Sequence, residues 1–181
     1  MKKRISLILT LLFSLSFLNA EVLFEGYDGF KWDTTVTEFQ KKYPSASEIT
    51  DSEDKARNER AFKRETDTIT RVYRFYNNKL YWGRTIYEDP DYDTEEAIME
   101  KIVDTYGRFD KSNEWTEDGN EYFSLWSVLT PTFSIEVTEV KYYNSYGRIT
   151  GLNLFITYEN EETNDEMWQY SKQQKKKNIE L

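Results

Sequence analysis

Aromatic side chains are the feature of this sequence that most constrains its fold. They make up 17% of the chain, and 14 of them are tyrosines, whereas hydrophobic residues of every kind reach only 38%. Aromatic residues favour strands and bury large areas, so most of these rings are expected in a β-rich core. The remaining rings are available for a recognition surface.

The strand candidates alternate between apolar and polar residues. Residues 133–137 show this alternation, and residues 152–156 repeat it. A period of two predicts strands with one buried and one solvated face. The predicted strands span residues 68–76, 80–87, 121–129, 132–142 and 149–158. Asn77 and Asn78, which tolerate positive φ, join the first two strands as a β-hairpin.

Helices are predicted from caps and from the spacing of apolar residues. A capping box over residues 35–38 begins the first helix, and Pro44 ends it. The second helix begins at Asp93 or Thr94 and ends at Gly107. A third helix is predicted near the C-terminus, over residues 164–177, with one side formed by Met167, Tyr170 and Ser171.

The order of elements predicts an α+β fold. We expect an antiparallel sheet with helices packed on one face, built from two successive units in which a helix precedes its strands. Residues 45–60 are polar and are expected to form a long surface loop, with a short charged helix as the alternative. Residues 21–181 are expected to form a single domain, with a flexible basic tail from about residue 172.

The first twenty residues predict export. Residues 2–4 are cationic, residues 5–18 form an apolar run, and residues 19–20 supply a polar, small-residue exit. This pattern is typical of a secretory signal peptide over residues 1–20. A membrane anchor is the alternative, but a transmembrane helix needs about 20 apolar residues. We therefore expect a soluble periplasmic or secreted protein without stable membrane insertion.

The chain contains no cysteine and no histidine. Disulfides, thiol chemistry, the usual zinc, copper and haem ligand sets, and Ser-His-Asp or Cys-His catalysis are therefore missing, and no cofactor is expected. The formal charge of −9 becomes about −12 once residues 1–20 are removed. Nucleic acid is not expected as a partner, because binding to phosphates requires clustered cations.

Tyr142, Tyr143 and Tyr146 are the candidate binding residues. They surround a polar turn in the sequence KYYNSYGR. Tyrosine is a rigid, amphipathic contact residue, and a cluster of tyrosines beside Asn and Ser is typical of a recognition loop. The alternative is that these side chains lie flat on the domain at strand ends. A second candidate group borders the first hairpin turn and consists of Tyr76, Tyr81 and Trp82.

Asp89, Asp91 and Asp93 are a candidate calcium site. Together with Glu100 they follow part of the spacing of a calcium-binding loop. Thr94 stands where that loop requires glycine, and a predicted helix begins at the same place. Acidic residues in the first turn of a helix also complement its positive end, so helix capping is the favoured interpretation and no metal is expected.

Carboxylate chemistry remains open to a chain with 33 acidic residues. Glycoside hydrolysis needs only two carboxylates at the right separation across a sugar. The sequence does not single out such a pair. A carboxylate-dependent glycan hydrolase or glycan-binding domain of the cell envelope is therefore the alternative function.

Three segments carry a family resemblance: GFKWDTTVTEFQKKYP, FYNNKLYWGRTIYED and EEAIMEKIVDTYGRF. They resemble small bacterial exported proteins in the opening Trp before a helix, the F-x-N-x-K-L-Y hairpin and the helix that closes on Tyr-Gly. Some of these proteins share the layout of β-lactamase-inhibitor-like and outer-membrane-assembly lipoprotein domains. Over residues 26–158, the resemblance implies binding or assembly rather than catalysis. The leading hypothesis is an exported, non-enzymatic domain that binds an envelope protein or glycan.

Overall fold

The computed structural model describes residues 26–109, 111–130 and 132–179. The predicted signal peptide at residues 1–20 lies outside the described residues. An N-terminal hairpin of two short strands, β1 (Gly26–Tyr27) and β2 (Phe30–Lys31), comes first. In the described part of the chain, no helix has the length and apolar character needed to cross a membrane.

Two units of similar layout follow the hairpin. The first contains α1 (Val36–Lys42), β3 (Ser47–Glu48), α2 (Ser52–Ala56), β4 (Glu59–Glu65), β5 (Ile69–Tyr76) and β6 (Lys79–Glu88). The second contains α3 (Tyr92–Tyr106), β7 (Lys111–Glu117), β8 (Asn120–Thr130), β9 (Phe133–Tyr143) and β10 (Ile149–Asn160), and the long helix α4 (Glu161–Ile179) comes last. The predicted α+β class is confirmed.

The strands of both units form one antiparallel sheet of eight strands, in the order β3-β4-β5-β6-β10-β9-β8-β7. The last strand of each unit pairs with the last strand of the other, with Gly83 opposite Tyr158 and Thr85 opposite Ile156. From either edge towards the centre, each unit therefore contributes four consecutive antiparallel strands preceded by a helix, and α2 stands between the first two strands of the first unit. This agrees with the predicted repetition of one layout.

Local sequence signals explain most element boundaries. The predicted capping box at Thr35 and Glu38 is present, and Asn77 and Asn78 turn the hairpin with φ of 48° and 66°. Helix α3 ends at Gly107, whose φ is 83°. The predicted start of α3 at Asp93 or Thr94 is wrong, because the carboxylate of Asp91 accepts a hydrogen bond from the Thr94 amide at 2.8 Å and begins the helix earlier.

One face of the sheet, the helical face, holds the main core. The centroid of the Phe39 ring on α1 lies 5.3, 4.7 and 5.3 Å from the ring centroids of Phe62, Tyr73 and Phe75, respectively. On the same face, Ile102 of α3 packs against apolar residues of β9 and β10, namely Ile135, Val137, Leu154 and Ile156. The rings therefore do build the core, as expected from composition.

Helix α4 packs on the opposite face of the sheet. Met167 is buried against Tyr76 and Tyr81, with Tyr170 beside them. Met167 and Ser171 are buried and Tyr170 is half-buried, so the predicted apolar side of this helix is confirmed. The basic segment expected to be a tail from about residue 172 is helical up to Ile179.

Residues 45–60 are not the continuous surface loop that their polarity suggested. They contain β3, α2 and the start of β4, and both Asp54 and Glu59 are only 2% exposed. Arg57 contacts both carboxylates, and Arg74 Nη1 lies 2.8 Å from Asp54 Oδ1. A polar segment becomes part of the interior here because its charges are paired on folding.

Gly83 provides the sharpest test of the packing. The Tyr27 ring lies over it, and a Cβ added at Gly83 would stand 2.1 Å from Tyr27 Cδ1. Gly83→Ala is therefore expected to lower the free energy of unfolding by about 1–3 kcal/mol through overpacking, although alanine ordinarily stabilises a strand relative to glycine. Urea denaturation measures this change.

The matched control introduces Gly83→Ala into a Tyr27→Ala background. Removing the ring relieves the clash, so the second substitution should cost little there. Equal destabilisation in both backgrounds, or none in the native one, would contradict the assigned contact.

Candidate functional site

The face of the sheet opposite the main core carries a group of large side chains that remain half-exposed. Strand register determines which residues share this face, because Arg84 is opposite Thr157, and Thr157 is opposite Glu136. Five half-buried residues of strands β6, β7, β8 and β10 form a surface that we call the open face: Trp82, Arg84, Trp115, Tyr122 and Phe155.

Arg84 lies between two aromatic rings at the centre of the sheet. Its guanidinium carbon is 4.8 Å from the centroid of Trp82 and 5.6 Å from that of Phe155. Its Nε donates a hydrogen bond to Thr157 Oγ1 at 2.9 Å. Burial lowers the pKa of Arg84, which is the direction expected when a cation is taken out of water. The Arg84 cation is thus held by rings and a hydroxyl.

A second aromatic pair lies towards the β7 edge. The rings of Trp115 and Tyr122 stack with centroids 5.0 Å apart and an interplanar angle of 9°. The two residues are directly opposite each other in the pairing of β7 and β8. Two flat rings on neighbouring strands form a rigid apolar platform that loses little side-chain entropy on contact with a partner.

A cavity of about 290 Å³ opens beside this platform. We call it the acidic cavity. The residues that line it come from β7, β8, β9, β10 and the start of α4, namely Asn113, Trp115, Ser124, Ser134, Ile135, Glu136, Thr157, Glu159 and Glu161. Ser124 donates a hydrogen bond to Glu136 Oε1 at 2.6 Å and accepts one from Thr138 at 3.3 Å. These hydroxyls fix the orientation of the Glu136 carboxylate.

Three carboxyl groups, those of Glu136, Glu159 and Glu161, line the acidic cavity. Burial, together with the charges of Glu161, Glu136 and Asp165, raises the pKa of Glu159 to about 7, although the Arg84 cation opposes this shift. Among the described residues, no ion pair involves Arg84, Glu136 or Glu159. The cavity therefore has the electrostatics of a site for a cation or for a proton.

The three tyrosines chosen from the sequence do not converge on one surface. Tyr142 lies on the side of the open face and accepts a hydrogen bond from Asn153 Nδ2 at 3.3 Å. Tyr143 points to the helical face and donates to Glu121 Oε2 at 2.7 Å. Tyr146 is 86% exposed in the turn between β9 and β10. Consecutive residues of a strand point to opposite faces, which separates Tyr142 from Tyr143.

The second group of aromatic residues shares one face of the sheet, the face on which α4 packs. Tyr76 and Tyr81 are buried beneath α4, and the half-buried Trp82 packs against them. A register shift between Arg74 and Phe75 places Leu80 and Trp82 on opposite faces, so Trp82 does not join Leu80 in the core.

The three aspartates of the candidate calcium site have separate structural positions. Asp89 accepts a hydrogen bond from the Leu152 amide at 2.8 Å, Asp91 caps α3, and Asp93 lies in the first turn of that helix. In the described ranges, no group of three or more acidic side chains is placed to hold a metal ion. The capping interpretation accounts for Asp91 directly.

Sequence reasoning did not select Arg84, Trp115, Glu136, Phe155 or Glu159. The two glutamates occupy polar positions of alternating strands, where a solvated side chain is ordinary. Their proximity depends on the pairing of β9 with β10, which links positions more than twenty residues apart and leaves no local signal.

A scan against family models and searches of curated proteins and of solved structures found no match to this chain. The site is therefore interpreted from its own residues.

The raised pKa of Glu159 predicts a pH-dependent stability. A carboxyl whose pKa rises on folding stabilises the fold below its ordinary pKa of 4.5, and this contribution is lost as the pH rises through about 7. Glu159→Gln removes the titrating group, so the decrease in unfolding free energy over this range should become smaller. Denaturation with urea at a series of pH values measures the slope.

Glu162→Gln, at an exposed position on α4, is the matched control and should retain the native slope. Glu95 also has a pKa raised to about 7 through its hydrogen bond with Glu139. Glu95 is present in the native protein and in both variants, so its titration contributes to all three slopes. An unchanged slope in Glu159→Gln would contradict the assignment.

Proposed function

We propose that this chain is an exported, non-enzymatic binding domain whose open face recognises another polypeptide in the periplasm or outside the cell. The observation that carries the proposal is the set of half-exposed aromatic and arginine side chains on a single sheet face. Export rests on the signal-like residues 1–20. The resemblance to β-lactamase-inhibitor-like and assembly domains implies the same kind of role.

The chemistry of the open face suits contact with a protein. Tryptophan, tyrosine and arginine are enriched at the energetic centres of protein interfaces, since they bury large areas and also offer polar groups. Trp82 and Phe155 hold the Arg84 guanidinium, and Trp115 stacks on Tyr122. These side chains are already ordered by their neighbours, which lowers the entropy cost of binding.

Most of these side chains belong to strands that are paired on both sides. Strands β6, β10, β9 and β8 have a neighbour on each side within the sheet, and Trp115 lies on the edge strand β7, which pairs with β8. A recognition surface on paired strands holds its geometry more accurately than one on loops. Tyr142 borders the same face, and we propose it as a contact residue together with the exposed Tyr146 of the adjoining turn, whereas Tyr143 points to the helical face.

Capture from cell envelopes by crosslinking tests the proposal. The double variant Trp115→Ala/Phe155→Ala should bind its partner at least about tenfold more weakly, because truncating an aromatic residue at an interface centre costs about 2 kcal/mol or more. The matched control is Tyr92→Ala/Trp168→Ala, which removes two exposed rings outside the open face, 73% and 47% accessible. Circular dichroism establishes that each variant is folded.

A separate variant with Tyr142, Tyr143 and Tyr146 replaced by alanine tests the hairpin. Loss of the same partner would extend the binding surface to that turn. A partner that is retained by the open-face variant but lost by the Tyr92 and Trp168 control would contradict the proposed surface.

A glycan is the second candidate ligand. The specific observation in its favour is that Trp115, Glu136 and Glu159 line one cavity. Glycoside hydrolysis uses a pair of carboxyl groups, and an aromatic ring offers a flat apolar surface to a ligand. A carboxyl with a pKa near neutrality is also suited to act as a general acid.

Incubation with peptidoglycan oligosaccharides tests this second function. A hydrolase should release new reducing ends, and Glu159→Gln should abolish the release while leaving the fold intact. A glycan-binding domain should show saturable binding without release, lost in Trp115→Ala. Absence of both binding and release would rule the glycan function out.

A further inference from the structure

The open face combines an aromatic platform with a local excess of negative charge. Glu136 and Glu159 line the acidic cavity with Glu161, and Arg84 is a nearby cation whose charge only partly opposes the rise in the pKa of Glu159. Because Arg84 is held by Trp82, Phe155 and Thr157, it forms no ion pair with either carboxylate among the described residues. The carboxylates are therefore available to a second cation.

The size and the lining of the acidic cavity suit a long cationic side chain. Its volume is about 290 Å³, and one of its walls is the Trp115 ring, stacked on Tyr122. Lysine and arginine place an apolar stem along such a ring and carry their charge at the tip. The hydroxyl of Ser124 holds the Glu136 carboxylate in place, so the acceptor is ordered in advance.

We propose that the open face binds a cationic segment of its partner polypeptide, with one lysine or arginine side chain entering the acidic cavity between Glu136 and Glu159. This inference rests on the proposed function and specifies the chemistry of the partner. The stem of that side chain packs on Trp115, while its charge is neutralised by the two glutamates. Charge complementarity is the basis for this choice, since the chain itself has a formal charge of −9.

The same charge argues against two other occupants. A polyanion would meet three carboxylates at the acidic cavity. A second copy of this chain carries the same excess of acidic residues, and its most concentrated run of lysines is the basic end of α4, which includes Lys172, Lys175 and Lys176. Sedimentation of the purified protein over a range of concentrations detects such self-association. If the protein self-associates and the Glu136→Gln/Glu159→Gln variant does not, the inference that the partner is a separate polypeptide would be overturned.

Titration with defined peptides, followed by NMR of the isotope-labelled protein, tests the inference. The probes are acetylated tetralysine amide, its counterpart with acetylated lysine side chains, and tetraglutamate. Tetralysine should shift the amides of Glu136 and Glu159 and the indole N–H of Trp115 in a saturable manner. The acetyl-lysine peptide should bind at least about tenfold more weakly, because it lacks the charge, and tetraglutamate should not bind.

Matched variants separate the acidic cavity from general attraction to an acidic protein. Glu136→Gln/Glu159→Gln should weaken tetralysine binding at least about tenfold, whereas Glu162→Gln/Glu166→Gln, which removes the same charge from exposed positions on α4, should change it by less than about threefold. Glu136→Asp/Glu159→Asp keeps both charges and should restore part of the affinity.

Three results would overturn the inference: no saturable shift with tetralysine, equal weakening in the two glutamine variants, or shifts confined to the surface of α4. If the inference fails in any of these ways while capture still depends on Trp115 and Phe155, the open face remains a binding surface for a partner of other chemistry. If capture is independent of those residues as well, the proposed function fails with it.

Discussion

The pairing of β6 with β10 is the interaction on which the rest of this structure depends. It joins two four-stranded meanders that would each otherwise end in an exposed strand, and it extends over seven residue pairs from Trp82 with Glu159 to Glu88 with Asn153. Exposed strand edges leave amides and carbonyls unpaired, so the junction satisfies both units at once. It also brings Arg84 beside Thr157 and thereby assembles the centre of the open face.

Different interactions stabilise the two faces of the sheet. The helical face is filled by rings and aliphatic side chains beneath α1 and α3, where burial of apolar area supplies the driving force. The opposite face is more polar, and its charges are handled in two ways. Near α2, Asp54 and Glu59 are paired with Arg57 and Arg74, whereas Glu136 and Glu159 have no such ion pairs among the described residues. The first group of carboxylates is thus neutralised within the fold, and the second group is not paired in this way within the described part of the chain.

Elements with strong local signals were predictable, and the polar ones were not. The capping box at Thr35, the Asn77-Asn78 turn and Gly107 each solve a backbone problem within a few residues, so they can be read directly from the sequence. Strand β7 has a single large apolar residue, Trp115, and forms because it pairs with β8 through the Asp118-Gly119 turn. The amino-acid composition of β7 alone therefore gives almost no indication of a strand.

The candidate site also has some features that the sequence predicts and others that it does not. The sequence supplied the aromatic surplus, the acidic charge and the absence of histidine and cysteine, which together favour binding over most kinds of catalysis. It did not indicate which rings share a face, and the chosen Tyr142 and Tyr143 lie on opposite ones.

The sequence by itself determined the α+β class, the main helix caps and the hairpin turns, because these depend on residues close together along the chain. Only the tertiary structure decided that Trp115, Glu136 and Glu159 meet in one cavity and that Arg84 is held between two rings. Those contacts arise from strand register, and register is set by how two distant segments bury their apolar sides together.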